Sequence, residues 1–228
     1  MKRDTAIIAT VVLIAFGLES SADMVVGRTL MRQKKYAEAL PLYQRSLAIR
    51  ERILPPDHPD VATGLHNLAT CYDAQRKYAE ALPLYQRALT ILERALGPNH
   101  PDVAMCLGNL AGLYLMQGKC AEALPLHQRS LAIRERILPP DHPDIAICLN
   151  NLAGLYYKLG KHAEEFSILK RAVSIAEKNL GSSHPYTKVI KSKLTAHKAL
   201  MSPVFKVPLR LREKALHLFR MMRRHRRR

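Results

Sequence analysis

The 228-residue chain has no tryptophan and four phenylalanines, and aromatic residues make up only 6% of it. That scarcity argues against one compact core built around large rings. It also leaves no obvious stacking platform for single-stranded nucleic acid. Cysteine is sparse: Cys71, Cys106, Cys120 and Cys148 include no pair at Cys-x-x-Cys spacing. A zinc ribbon or a dithiol redox motif is therefore not expected, and the four read as small buried thiols at helix contacts. There is no Gly-x-Ser-x-Gly, His-Glu-x-x-His, phosphate-binding loop or dinucleotide fingerprint. Histidines and acids are spread along the chain rather than gathered into one constellation. No catalytic residue, cofactor, metal or small-molecule substrate is expected from this pattern.

Acidic residues are also scarce, 19 against 36 Lys and Arg, for a net charge of +17. The excess is uneven, since +10 of it falls from Lys198 onward, where Glu213 is the single acid. A basic end of that kind reads as an interaction tail for nucleic acid, an anionic membrane or an acidic protein, or as a solvated end.

What the chain does have is a repeat. His-Pro occurs at His58, His100, His142 and His184, each step being 42 residues. The segment Tyr36–Leu47 returns at Tyr78–Leu89, again at Cys120–Leu131, and loosely at His162–Val173. A fixed period of this length means stacked supersecondary units. Each unit reads as two helices. In the first, about Pro59–Ala74, Val61, Leu65, Leu68, Ala69 and Tyr72 recur at spacings of three and four. In the second, about Tyr78–Leu96, the stripe is Ala81, Tyr85, Ala88, Leu89 and Leu92. Asp57, Asn99, Asp141 and Ser183 precede each His-Pro and are expected as N-caps, with proline in the first turn where its missing N–H costs nothing. Gly97 and Gly181 read as helix stops, as do Pro55-Pro56 and Pro139-Pro140. Pro41, Pro83 and Pro125 fall inside the second helices in register, and are expected to be tolerated bends.

These positions resemble the tetratricopeptide repeat. Leu68, Ala69, Tyr72, Ala81, Tyr85 and Ala88 match its signature throughout. The third unit keeps Leu110, Ala111, Tyr114 and Ala123 but has His127 and Ser130. The fourth keeps Leu152, Ala153, Tyr156 and Ala172 but has Glu165 and Leu169. The first is partial, with Val26, Gly27, Leu30, Ala39, Tyr43 and Ser46. The 42-residue length, the Asn-Leu-Ala motif and the Asp/Asn-His-Pro-Asp linker are similar to the kinesin light chain type. The resemblance implies an all-α, right-handed α-solenoid of stacked antiparallel helix pairs. It further implies a non-enzymatic scaffold that binds an extended peptide or partner segment.

The residue before each Leu-Ala is Asn67, Asn109 and Asn151. One amide per unit makes a ladder that can satisfy an extended peptide backbone through both donor and acceptor. In the light-chain-like family the resemblance places such asparagines in the peptide groove, with His66, Thr70, Met105, Ile147 and Asn150 as neighbours that set preference. The alternative is that these asparagines only bond adjacent turns. The repeated His-Pro-Asp marks architecture, since equivalent histidines in packed units stand ~10 Å apart, too far for a shared metal.

The ends complete the expected organisation. Residues 1–22 read as either a secretory signal cleaved after Ala22, with a secreted or periplasmic chain, or a degenerate first helix in a cytoplasmic one. Residues 23–185 form the array and 186–201 a capping helix with the stripe Ile190, Leu194, His197 and Met201. Residues 202–228 form a linker with Pro203 and Pro208 and a basic amphipathic tail. Its apolar face would be Leu211, Ala215, Leu218 and Met222, and its charges Arg210, Arg212, Lys214, Arg220, Arg223, Arg224, Arg226, Arg227 and Arg228.

Overall fold

The computed structural model describes residues 2–201. Within them the chain is all helix. Three antiparallel pairs, α1 (Lys2–Arg32) with α2 (Tyr36–Ile53), α3 (Pro59–Ala74) with α4 (Tyr78–Leu96), and α5 (Pro101–Met116) with α6 (Cys120–Ile137), make one compact unit ending at Pro140. A second unit starts at Asp141 and holds the pair α7 (Pro143–Lys158) and α8 (His162–Leu180), with α9 (Pro185–Met201) packed on α8. In the first unit α2 packs on α3 and α4 on α5, so each pair is covered by the next. This is the helical-repeat solenoid that the period implies. Among the described residues no helix is long and apolar enough to cross a membrane.

The sequence periodicity explains the packing. Ala39, Ala81 and Ala123, at one position of the second helices, are fully buried, as are Ala69 and Ala111 on the first helices. These small side chains let paired helices approach, and Tyr43 and Tyr85, also buried, fill the space beside them. In the first pair the fit is close. A Cβ on Gly27 would stand 2.8 Å from Tyr43 Cε1, so this position, alanine in the other repeats, is glycine.

The helix ends correct one expectation. The caps are the histidines themselves, not Asp57, Asn99, Asp141 and Ser183. His58, His100 and His142 Nδ1 accept the backbone N–H of Asp60, Asp102 and Asp144 at 3.1, 3.2 and 3.2 Å. His184 Nδ1 accepts from Tyr186 N at 3.2 Å. The imidazole nitrogen reaches the second helical residue just as an asparagine oxygen would, satisfying one orphan donor. The residues before the histidines reach elsewhere. Asp57 faces Arg94 at 3.8 Å, Asn99 accepts from Arg136 at 3.2 Å, and Asp141 pairs with Lys178. Each partner lies 37 residues on, in the last turns of the same repeat's second helix. The linker is thus tied at both ends, which is why Asp/Asn-His-Pro-Asp recurs.

The stops are as expected, with Gly97 and Gly181 at φ 88° and 81° and Leu54 and Leu138 extended before their prolines. Helices α2, α4 and α6 run on through Pro41, Pro83 and Pro125. Inside each pair the turn closes by a 6→1 bond, as from Lys77 N to Tyr72 O at 2.9 Å.

Candidate functional site

The exposed face of the first helices carries the candidate site, and its outward positions recur in register. In the first unit these are Thr63, Asn67 and Thr70 on α3, and Met105, Asn109 and Gly112 on α5. In the second they are Ile147, Asn151 and Gly154 on α7, and Val189, Lys193 and Ala196 on α9. Helical spacing alone puts each triplet on one stripe. Met105, Ile147 and Val189 are 42%, 45% and 53% exposed, although they are large and apolar. A Cβ on Gly112 or Gly154 would meet nothing within 4 Å, so there the helix backbone lies open. On α5 and α7 the strip therefore has an apolar edge, an amide and a bare glycine, whereas α3 carries Thr63 and Thr70 in the outer places and α9 carries Val189, Lys193 and Ala196.

The amide row has an internal job that the sequence did not reveal. Asn67 Nδ2 lies 3.3 Å from Met24 Sδ, and Asn109 Nδ2 lies 3.0 Å from His66 Nε2. Lys193 Nζ donates to Asn150 Oδ1 at 2.7 Å. In every case the partner lies 43 residues earlier, so the row stitches one first helix to the preceding one. The residue 43 before Asn151 is Gly108, which has no side chain for such a bond, and Asn151 is exposed. Asn67 and Asn109 are half-buried and keep an amide face at the surface. Asn67 and Asn109 thus bond a side chain of the preceding first helix rather than an adjacent turn, and Asn151 is exposed.

His66 sits beneath the row, 8% exposed, with its ring edge-on to Tyr85 at 5.4 Å. Burial drives its pKa down to about 4, against a smaller upward pull from Asp102. Its Nδ1 is buried without a hydrogen-bond partner. Thr70 accompanies it, bonding His66 O at 2.9 Å and Tyr85 Oη at 3.0 Å. Burial raises the Tyr85 pKa, so the phenol stays protonated. His66 is thus a buried support beneath the strip, and Thr70, half-buried on it, has its hydroxyl bonded internally. Met105, Ile147, Asn150 and Asn151 are reachable from outside. The basic-tail residues, Arg210 to Arg228, lie outside the described residues.

The opposite side of the first unit is charged and paired. Glu51 meets Arg87 at 2.5 Å and Glu93 meets Arg129 at 2.5 Å, a rung 36 residues long linking successive second helices. The cysteines match the thiol reading: all four are free, with Cys71, Cys106 and Cys148 buried. Burial pushes the Cys106 thiol up to about 12, which makes it a poor nucleophile.

The comparisons agree with this architecture. A tetratricopeptide repeat family model matches residues 19–94, 74–136 and 117–178. Nephrocystin-3 of Xenopus laevis is 46% identical over 57 residues, 24% of this chain, and its Xenopus tropicalis counterpart matches equally. The chain spans about 4% of the length of these curated relatives. Among solved structures, the nearly identical TPR-like repeats of a Podosopora anserina protein of kinesin light chain type superpose with TM-score 0.70. They are 25% identical over 90% of this chain and 94% of that one. BtubC (BKLC) from P. vanneervenii shares the fold, with TM-score 0.73 and 22% identity over 86% of this chain and 78% of its own. With the family model covering well over half of its residues, the chain belongs to the tetratricopeptide repeat family, in its kinesin light chain-like form, a family of non-enzymatic protein–protein interaction scaffolds.

Proposed function

We propose that the first-helix face is the working surface, and that it takes an extended peptide segment of a partner protein. The observation that carries this is the exposure of Met105 beside the half-buried Asn109 and the bare Gly112 in the first unit, and of Ile147 beside Asn151 and the bare Gly154 in the second. Large apolar side chains that a soluble repeat leaves uncovered at one register position fit a surface made for burial against something else. The open backbone at the glycines lets a main chain approach closely, and the amides supply paired donors and acceptors to it. The ion-paired second-helix side has its polar groups matched internally and offers less to a ligand.

The test is selection of extended peptides from a display library against the intact protein, followed by affinities for variants. Met105→Glu and Ile147→Glu replace exposed side chains, so folding should be unaffected while peptide affinity falls at least ~10-fold. Arg87→Ala, on the second-helix side, should leave affinity unchanged. Peptides that bind the Met105 and Ile147 variants as tightly as the parent would refute the proposal.

A second reading is favoured by the charge asymmetry: the tail from Arg210 to Arg228 could recruit the protein to nucleic acid or an anionic membrane. Binding through it would fall steeply with salt, whereas the groove would respond weakly. Deleting residues 202–228 separates the two.

A further inference from the structure

In the second unit three departures from the repeat pattern meet in space. The position occupied by Tyr36, Tyr78 and Cys120 becomes His162. The close-approach position occupied by Ala39, Ala81 and Ala123 becomes Glu165. The position occupied by Cys71, Leu113 and Leu155 becomes His197. Helix α8 holds the first two one turn apart and α9 brings in the third. Glu165 Oε2 lies 3.3 Å from His162 Nδ1 and 3.0 Å from His197 Nδ1. The three ligand atoms all lie within 4.8 Å of one another.

We infer that His162, Glu165 and His197 form a divalent-cation site, suited to Zn²⁺, that ties α9 to α8 of the repeat before it. Two imidazoles and one carboxylate are an established zinc donor set, with a fourth position left for water or an incoming ligand. Bonds of ~2.1 Å in tetrahedral geometry put donor atoms ~3.4 Å apart. The two separations to Glu165 need to open by only a few tenths of an ångström, and the two imidazole nitrogens, which stand no more than 4.8 Å apart, need to settle to the same spacing to hold the ion. Glu165 is 6% exposed and His197 5%. A carboxylate placed where the family packs a methyl group is costly unless something compensates it. A cation does so, and explains why both neighbours changed to nitrogen ligands rather than to one hydrogen-bond donor. The surroundings fit. Phe166 stacks on His197 at 5.3 Å between ring centroids, and Tyr157 stands edge-on to His162 at 6.1 Å, so the ligands are held by packing. A cleft of ≈ 370 Å³ lined by His162, Phe166, His197 and Met201 opens beside the cluster, giving an entry path and room for the fourth ligand.

The experiment uses the full chain, stripped with a chelator and titrated with Zn²⁺ against a chromophoric competitor at pH 7.5. Co²⁺ serves as a spectroscopic probe of coordination. The variants are His162→Tyr, Glu165→Ala and His197→Leu, each restoring what other repeats carry, so all three should fold. Circular dichroism in the presence of chelator checks this. One equivalent of zinc is expected for the parent. Each variant should lose more affinity than the ~10–100-fold that changes to outer-shell partners give. Zinc should raise the melting temperature of the parent and of none of the variants. Equal uptake by parent and variants would put the metal on other histidines, and absence of a one-equivalent site would leave a hydrogen-bonded triad. Either result overturns the inference.

Discussion

Acid should weaken the first unit through two buried histidines before its carboxylates begin to matter. His66 and His127 are 8% and 5% exposed, and burial lowers each from 6.5 to about 4, with Arg134 adding to the effect at His127. In the unfolded chain both take up protons near pH 6.5. Between 6.5 and 4 the unfolded state therefore binds more protons than the folded one, and stability rises with pH across that window. The contribution is fully present above about pH 6.5 and is lost as pH falls toward 4. A depression of this size is worth about 3 kcal/mol per histidine at full range, and about 2 kcal/mol between pH 7.5 and 5. Replacing His66 by asparagine, the residue at the equivalent position 150, removes one of the two groups. Urea denaturation followed by circular dichroism at both pH values would measure the difference. The parent should lose about 2 kcal/mol more than His66→Asn on acidification. The remaining groups titrate alike in the two proteins and cancel. Equal losses would mean that His66 accepts a proton without breaking its packing against Tyr85 and Asn109, and would refute the argument.

Three other perturbations test the architecture. His100→Ala removes the cap on α5, leaving the Asp102 N–H without its acceptor, and should cost about 1 kcal/mol in a thermal or urea melt. Gly27→Ala should destabilise despite a helix-propensity gain of ~1 kcal/mol, because the new methyl meets the buried Tyr43 ring at 2.8 Å. Pairing it with Tyr43→Leu, the residue found at 169, should remove most of the penalty, and strict additivity would count against the contact. A chain beginning at Asp23 should be less stable in a urea melt than one beginning at Leu18, by at least ~1 kcal/mol. It lacks Ser20, which bonds Ser46 O at 3.1 Å and Ser46 Oγ at 2.9 Å and accepts from Arg50 Nε at 3.1 Å.

The fold was legible because the information repeats. Helix bounds such as Pro59–Ala74 and Tyr78–Leu96 follow from apolar spacing and punctuation, and four copies average out local ambiguity. The caps were misread for a physical reason. Aspartate and asparagine are the usual capping residues, and histidine does the same work only when its Nδ1 is free to accept, a geometric condition that no sequence states. The asparagine row was found, but its internal bonds were not, since Asn109 and His66 are 43 residues apart and meet only after two helices stack. Glu165 stands out in the sequence as a departure from the pattern, whereas His162 reads only as the start of the loosely matching segment and His197 as part of the capping stripe. That they meet rests on α9 packing on α8 as α3 packs on α2, which shows only once the helices are stacked.

A repeat also gives a way to separate architecture from activity within one chain. Features that recur from copy to copy, the histidine caps, the small residues between most paired helices and the linker ties of Asp57, Asn99 and Asp141, are needed to build the next copy and say little about purpose. Positions where copies differ are released from that demand. Some differences are neutral, as where Gly108 stands at the position of His66 and Asn150. Others are costly unless used: an exposed Met105 where the previous copy has Thr63, or a buried Glu165 where the others have alanine. A stable array loses nothing by keeping threonine and alanine at those places. An apolar side chain left in water and a charge taken out of it both push against folding, and sites that break local rules without structural gain are where function is expected. By that criterion the proposed sites at Met105, Ile147 and the His162, Glu165 and His197 cluster are better candidates than the His-Pro-Asp linker, although the linker is by far the more conspicuous motif in the sequence.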